Sequence, residues 1–414
     1  MRPSSCGMLS GKRGGRPGGR GGASMAEKAG FRTLITLGRL TLRSLGRSFR
    51  PRGIGPAAGA PFERGMASLL ADPVVAASVR EARVLSLTPE GSWLAAGIEV
   101  APGDEVTVLA AGGFWASRVL DLGFGARIGV WLRAGEAGAI AKTPSNASTV
   151  RMEEGGPLHI VAKPPGEWLD EQGRFDPAFP RGGVAGAIGV CVIVWKGPAL
   201  SGLEAMSRAG DYEGLVARAL ESLRNPVPAP AGWRYLWRLG NGEIFREKKS
   251  GDTHSICCHT AGDVGILQFP ADFPLTENTR LRWRWKADRL PCDLPEDIQP
   301  THDYLSIAVE FENGQDLTYM WSSSLAEGTI FRCPLPYWDQ VETHWVLRSN
   351  PAHLGRWLHE EQPLKADYMK AVGVPPQRIV KIWLIAVSVF QRHEGICEYA
   401  DIELVDGDKV LKIL

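Results

Sequence analysis

The stretch Arg280 to Pro291, "RLRWRWKADRLP", sets two tryptophans in alternation with three cations. Period two is the repeat of a β-strand. Leu281, Trp283, Trp285 and Ala287 therefore share one face, and Arg282, Arg284, Lys286 and Asp288 share the other. Large aromatics beside leucine and alanine make a core-facing side, where each ring buries about 150 Å² or more. The same ring pair is also the kind of platform on which a sugar stacks. The cation side is either a solvated outer face or the floor of a ligand groove.

Working outward, "YLSIAVEF", "LTYMWSSS", "HWVLRS", "IVKIWLIAVS" and "CEYADIELVDG" are further strand candidates, and the spacing predicts a helix over 363–372, ended by "GVPP". Upstream, the Pro-rich 225–232, "NPVPAPAG", marks a module boundary. Residues 198–224 read as two short helices broken at "AGD", joining the modules. Between 80 and 197, short alternating runs are separated by Pro-Gly and Gly-Gly turns. Val106, Val108 and Ala110 share a strand face there, and "GAIGVCVIVWKG" (186–197) reads as a fully buried strand. The expected fold class is all-β: two β-sandwich, jelly-roll-like modules over 80–197 and 233–414, behind a disordered basic N-terminal arm.

Composition agrees. The 414 residues include 49 Gly and 29 Pro, which favours turns and short strands. Residues 1–66 hold 13 Lys/Arg against 2 Asp/Glu, a net of +11, so a chain of net +1 leaves −10 for the rest. A mildly acidic body is a poor partner for nucleic acid, because phosphate neutralisation supplies most non-specific affinity. Residues 1–24 are Gly/Arg-rich and expected to be disordered. An amphipathic helix follows at about 31–50: Phe31, Leu34, Ile35, Leu42, Leu45 and Phe49 fall near one face, with Arg39, Arg43, Arg47 and Arg50 elsewhere. That pattern suits an interfacial helix on an anionic membrane surface, a transit-type peptide, or a helix docked on its own body. With no secretory-type apolar core and no apolar run long enough to span a bilayer, a cytoplasmic or membrane-peripheral location is expected. The seven cysteines are odd in number and irregularly spaced, which favours a reducing compartment and leaves one or two disulfides open.

Two resemblances follow from particular residues. "SWLAAGIEVAPGDEVTVLAAGGFWAS" carries Trp93, Gly97-Ile98, the Gly103-Asp104 turn and Gly113 through Trp115. With the rest of the segment to about Trp195, it resembles galactophilic, calcium-dependent bacterial lectins and their galactose-binding-like relatives. Those lectins place an Asn-Asp pair after a strand of the "LHIVA" type to hold calcium, and here Ala162-Lys163 stands at that position. Glu167, Asp170, Glu171 and Asp176 in the following loop are hard oxygen donors of the kind that hold calcium, and also of the kind found in any acidic surface loop. Otherwise no cofactor is expected. The second resemblance spans the C-terminal module. Trp283-Arg284-Trp285-Lys286, His302-Asp303-Tyr304, Tyr319-Met320-Trp321-Ser322, Trp345 with Arg348 and Asn350, Asp367-Tyr368 and Tyr399-Ala400-Asp401-Ile402 stand in order. They resemble a bacterial family classed only as a domain of unknown function. Where that family often has two acids before the strand at 304, this chain has His302 first. The resemblance implies a jelly-roll-like sandwich of the carbohydrate-binding-module kind and brings no activity with it.

The favoured function on these grounds is non-enzymatic binding of a glycan or other polar ligand by Arg282, Arg284, Lys286, Asp303, Trp321 and Arg348. The alternative is a glycan-processing hydrolase or lyase using Glu310, Glu312, Asp303 or Asp367. In "AVEFEN" period two puts Glu310 and Glu312 on one face about 7 Å apart, a separation that suits inverting glycoside hydrolysis and equally any solvated acidic face. A third reading is a membrane-peripheral interaction protein anchored by the basic helix. "HSICCHTAGD" (254–263) offers ligand-type residues, but alternation sends Cys257 and His259 to one face and Cys258 to the other, against a closed zinc site.

Overall fold

The computed structural model describes residues 25–48, 58–118, 120–177, 184–251, 253–349 and 351–414. Residues 1–24, Phe49 and Arg50, for which the sequence predicts disorder and a helix end, lie outside them.

The first module is a two-sheet sandwich. One sheet runs Val79–Leu87, Ala185–Trp195, Glu105–Ser117, Leu122–Gly125, with Ala147–Arg151 also on the third strand; the other runs Leu94–Val100, Gly156–Ala162, Val130–Ala134, Ala141–Lys142. Val106, Val108 and Ala110 lie beside Val190 and Val192 of the neighbouring strand and share the core between the sheets with Leu132 and Ile160, as period two predicts. The opposite side of the first sheet is covered as well. Helices Ala60–Leu70, Pro73–Ser78, Ala199–Ala209 and Leu215–Arg224 lay Phe62, Met66, Leu203, Met206 and Val216 on Leu109, Cys191, Ile193 and Trp195. A strand buried on both faces has no polar alternation to keep, which is why 186–197 reads as one apolar run. The pair of helices expected as a connector is thus a third layer, and the folded module starts with helix Ala60–Leu70, ahead of residue 80. Gly202 lets this layer close: a Cβ there would lie 2.1 Å from the Trp195 ring.

The second module is the larger sandwich. Its outer sheet runs Phe245–Ser250, Thr253–Ala261, Glu394–Asp406, Arg280–Arg289, Leu358–Pro363, with Lys409–Lys412 beside Glu394–Asp406. Its inner sheet runs Arg234–Tyr235, Val264–Pro274, Arg378–Val387, Tyr304–Phe311, Asp316–Ser322, Glu342–Ser349, Ile330–Arg332. All six strand candidates are strands, and Leu364–Ala371 is the expected helix. Trp283, Trp285, Tyr319, Trp321, Leu384 and Tyr399 fill the space between the sheets. One pairing departs from the antiparallel pattern: Asp316–Ser322 and Glu342–Ser349 are parallel. A parallel pair needs a crossover, and this one carries Ile330–Arg332 to the outer edge of Glu342–Ser349.

The far side of the inner sheet packs on the first module. Met320, Val346, Trp383 and Ile385 share an apolar cluster with Leu122 and Ile128, and Arg392 Nη2 meets Asp121 Oδ2 at 2.7 Å. Helix Met25–Ser48 docks on the second module: Leu40 is buried with Cys292 and Leu294, Arg43 reaches both carboxylate oxygens of Asp293 at 2.9 and 2.6 Å, and Arg32 pairs with Asp297. Among the described residues no helix is long and apolar enough to cross a membrane.

Candidate functional site

Trp283 and Trp285 are each only 2% exposed. The Trp285 ring centroid lies 5.4 Å from that of Trp321, and Trp283 lies 5.8 Å from Tyr319. Trp285 Nε1 donates to Glu360 Oε1 at 2.9 Å. The tryptophan side of the opening strand is therefore core.

The cation side faces out, and each of its three cations meets an acid, from the facing register, from a bulge or from its own strand. Arg282 stands opposite Glu361 on one neighbouring strand and Glu403 on the other, and its Nε donates to Glu361 at 2.7 Å. That hydrogen bond holds the Arg282 guanidinium above its ordinary range. Arg284 pairs with Asp401, which sits at φ 52° where the strand bulges. Lys286 Nζ lies 3.0 Å from Glu398 and 3.2 Å from Asp288. Arg282, Arg284, His359, Glu361, Asp401, Glu403 and Lys412 line a shallow trough of about 460 Å³. Half-buried Trp357 stands at its edge, with the Arg284 guanidinium 5.2 Å from the ring centroid.

The other predicted residues lie apart from this trough. Trp321 is in the core. Arg348 donates from Nε and Nη2 to the two oxygens of buried Glu360, at 2.7 and 2.8 Å. Asp303 is fully buried; its carboxylate accepts the N–H of Phe390 at 3.0 Å and of Gln391 at 2.6 Å, and burial pushes its pKa up to about 7. Asp367 accepts the Tyr319 hydroxyl at 2.8 Å and is also raised by burial. Glu310 holds Lys381 at 2.7 Å and Trp383 Nε1 at 3.0 Å. Glu312 lies past the end of its strand and accepts Gln377 N–H at 2.7 Å. Each of these carboxylates has its own structural partner.

In the first module, Glu167 is buried with Lys163 Nζ 3.5 Å away, and that ammonium also donates to Pro89 O at 2.7 Å. Lys163 is the residue standing where the lectin resemblance places an oxygen ligand. Asp170 accepts the Arg174 N–H at 3.0 Å and pairs with its guanidinium; the backbone hydrogen bond leads in holding this carboxyl below its usual range. Glu171 is exposed and Asp176 half-buried. The loop is pinned by aromatic stacking, Trp168 lying 5.6 Å from Trp93 and 5.5 Å from Phe175.

In "HSICCHTAGD", Cys258 is buried opposite Cys397, while exposed His259 meets Glu394 at 2.6 Å. The six described cysteines are free thiols. A different set of metal-ligating groups does converge. His302, Cys333, Glu342 and His344 are all buried, with one ligand atom from each within 4.8 Å of every other. His302 precedes strand Tyr304–Phe311, Cys333 follows Ile330–Arg332, and Glu342 and His344 are two apart on Glu342–Ser349, so they share a face. Burial pushes His302 down to about 3. Glu342 is held at about 2 against the effect of burial, His344 being its strongest favourable neighbour. The sequence carried a signal for this cluster, a Glu-x-His pair on a strand with Cys333 shortly before it. Glu342 also borders an apolar cavity of about 400 Å³ between the modules, lined by Phe114, Leu122, Phe124, Tyr304 and Phe390.

Residues 233–403 match a family described as a protein of unknown function (DUF3047). No curated protein matches the chain. Among solved structures, the xyloglucanase domain of NopAA, a type three effector from Sinorhizobium fredii, in complex with cellobiose, is 6% identical. That match covers 43% of this chain and 94% of the other, with a TM-score of 0.26. The family 30 carbohydrate-binding module of a Clostridium thermocellum cellulosomal cellulase is 11% identical over 44% and 90%, with a TM-score of 0.24. Endoglucanase 3 of Trichoderma harzianum is 6% identical over 39% and 83%, with a TM-score of 0.25.

Proposed function

We propose that the chain is a non-enzymatic recognition protein whose C-terminal sandwich takes a neutral, hydroxyl-rich ligand of the glycan class across the outer trough. The observation that carries this is the pairing of the trough: Arg282 and Arg284 already face Glu361 and Asp401, and Lys286 beside the trough faces Glu398. An anion would have to displace those carboxylates. A sugar hydroxyl donates and accepts at once, so it can bridge a guanidinium and its neighbouring carboxylate without breaking the charge balance. The Trp357 ring adds an apolar face at the edge. A hydrolytic reading through Glu310 and Glu312 has less support, since Lys381 and the Gln377 N–H occupy those groups. The test is a glycan array with the full chain, with and without calcium, followed by calorimetry on the best hits. Neutral oligosaccharides are expected to bind independently of calcium, and an Arg282→Ala/Arg284→Ala variant of unchanged circular dichroism to lose at least tenfold in affinity. A silent array, or binding that survives the double substitution or needs calcium, overturns the reading.

A second reading rests on helix Met25–Ser48. Leu34, Ile35, Leu42 and Leu45 are 69%, 46%, 70% and 55% exposed, while Leu40 is docked. At helical spacing these four fall within an arc of about 100°, the width of an apolar stripe. We infer that this stripe lies on an anionic membrane surface. Co-sedimentation with anionic vesicles should fall in a Leu34→Ser/Leu42→Ser variant, and equal sedimentation of the two proteins would end this reading.

A further inference from the structure

We propose that His302, Cys333, Glu342 and His344 form a binding site for a single transition-metal dication, with zinc the ion that their donor set selects. The site lies on the inner sheet and is separate from the trough, so it stands or falls independently of glycan binding.

The geometry is already close to what zinc requires. Cys333 Sγ lies 3.4 Å from His302 Nε2, and His344 Nε2 lies 3.4 Å from Glu342 Oε1. Donor atoms around a tetrahedral zinc, at bond lengths of about 2.0–2.3 Å, sit roughly 3.3–3.8 Å from one another. The widest separation in the cluster is within 4.8 Å, so a small inward movement of side chains closes it.

Three further observations point to a ligand rather than a self-contained polar cluster. His344 is completely buried; its Nδ1 has no hydrogen-bond partner, and its Nε2 has only the Glu342 carboxylate, 3.4 Å away and outside good hydrogen-bond geometry. An imidazole left short of partners in this way is costly in a protein interior, and a metal bond would satisfy it. His302 is oriented as metal-bound histidines are. Its Nδ1 lies 2.6 Å from Glu296 O, an atom that only accepts, so Nδ1 carries the proton and Nε2 presents a lone pair toward Cys333. Glu342 is buried; besides His344 and the Cys333 thiol, its side-chain neighbours are the hydroxyls of Tyr304, at 3.1 Å, and Thr318, at 3.2 Å. Among the described residues no Lys or Arg lies within ion-pair distance of it, and the carboxylate of Asp316 is on the same Thr318 hydroxyl, at 3.0 Å. A dication would balance the buried Glu342 carboxylate in a region with little solvent.

The donors also choose the ion. Thiolate and imidazole suit zinc and its first-row neighbours, whereas calcium takes six to eight oxygens and magnesium keeps much of its water. On binding, the Cys333 thiol gives up its proton to solvent and the sulfur–metal bond forms. No electron is transferred.

The experiment uses the full chain, stripped with a chelator and reloaded. Equilibrium dialysis against zinc, read by elemental analysis, should give one equivalent per chain. Cobalt loading should produce visible d–d bands of a four-coordinate site and a near-ultraviolet sulfur-to-cobalt band. Cys333→Ser should abolish the near-ultraviolet band, and Cys333→Ser or His344→Ala should weaken zinc binding by at least tenfold. Cys257→Ser should leave both readouts unchanged. If the cluster variants fail to fold, the wild-type protein still decides: bound metal should protect Cys333, mapped by mass spectrometry, from thiol alkylation. Stoichiometry well below one, cobalt spectra without the sulfur band, or alkylation of Cys333 indifferent to metal would each overturn the proposal.

Discussion

The two sheets of the second module use similar residues to opposite effect. On the outer sheet, Arg282 and Arg284 stand against Glu361 and Asp401 at the solvent surface, each paired. On the inner sheet, Glu342, His302, His344 and Cys333 are buried, and Nδ1 of His344 has no hydrogen-bond partner. Water and salt screen the first set, so breaking any one pair there costs little. Nothing screens the second, so its unsatisfied groups carry information about what is meant to fill them. Charge in the exposed trough indicates what a ligand exchanges with, and polarity in the buried cluster indicates what is still to be bound.

Substitutions in the opening strand test the same contrast of wet and dry, because that strand has one side at the solvent and one in the core between the sheets. Trp285→Ala should be the largest, destabilising the protein by about 3–5 kcal/mol through lost packing and a residual cavity, read by chemical denaturation. A ring that left stability nearly unchanged but abolished ligand binding would instead belong to a sugar platform, and the division into core side and ligand side would be broken. Glu360→Gln should cost about 2 kcal/mol, because it removes the charge that Arg348 clasps with two hydrogen bonds and weakens the acceptor of Trp285 Nε1. If the loss were absent, the layer joining the two environments would not be a fixed network. The smallest effect on folding belongs to Arg282→Ala, whose denaturation midpoint should match the wild type while affinity for a neutral oligosaccharide falls. A clear loss of stability in that variant would make the trough a structural device.

Much of the fold was legible in the sequence because period two is a local property. Alternation in "RLRWRWKAD" sorted core from surface correctly, and turn residues bounded the six strand candidates read in the second module. The helices at 199–224 were legible as helices, but not as the layer that covers Cys191, Ile193 and Trp195. An apolar helix face does not say which surface it meets.

Site residues divide in the same way. Arg282, Arg284 and Lys286 could be placed together because neighbours on a strand stay neighbours in space. Glu310, Glu312, Asp303 and Asp367 share a residue type and little else. Each found a separate partner in Lys381, the Gln377 N–H, the 390–391 backbone or Tyr319. The cysteine-histidine run at 254–263 looked denser in ligands than any other segment, yet its alternation disperses them. The cluster that does converge is spread from 302 to 344 and is assembled by the parallel crossover between Asp316–Ser322 and Glu342–Ser349. What the sequence alone determined is which residues of a strand share a face, since that depends only on neighbours two residues apart. Which buried groups meet was decided by strand order and crossover, because bringing distant segments together is a property of the closed sandwich and of no segment within it.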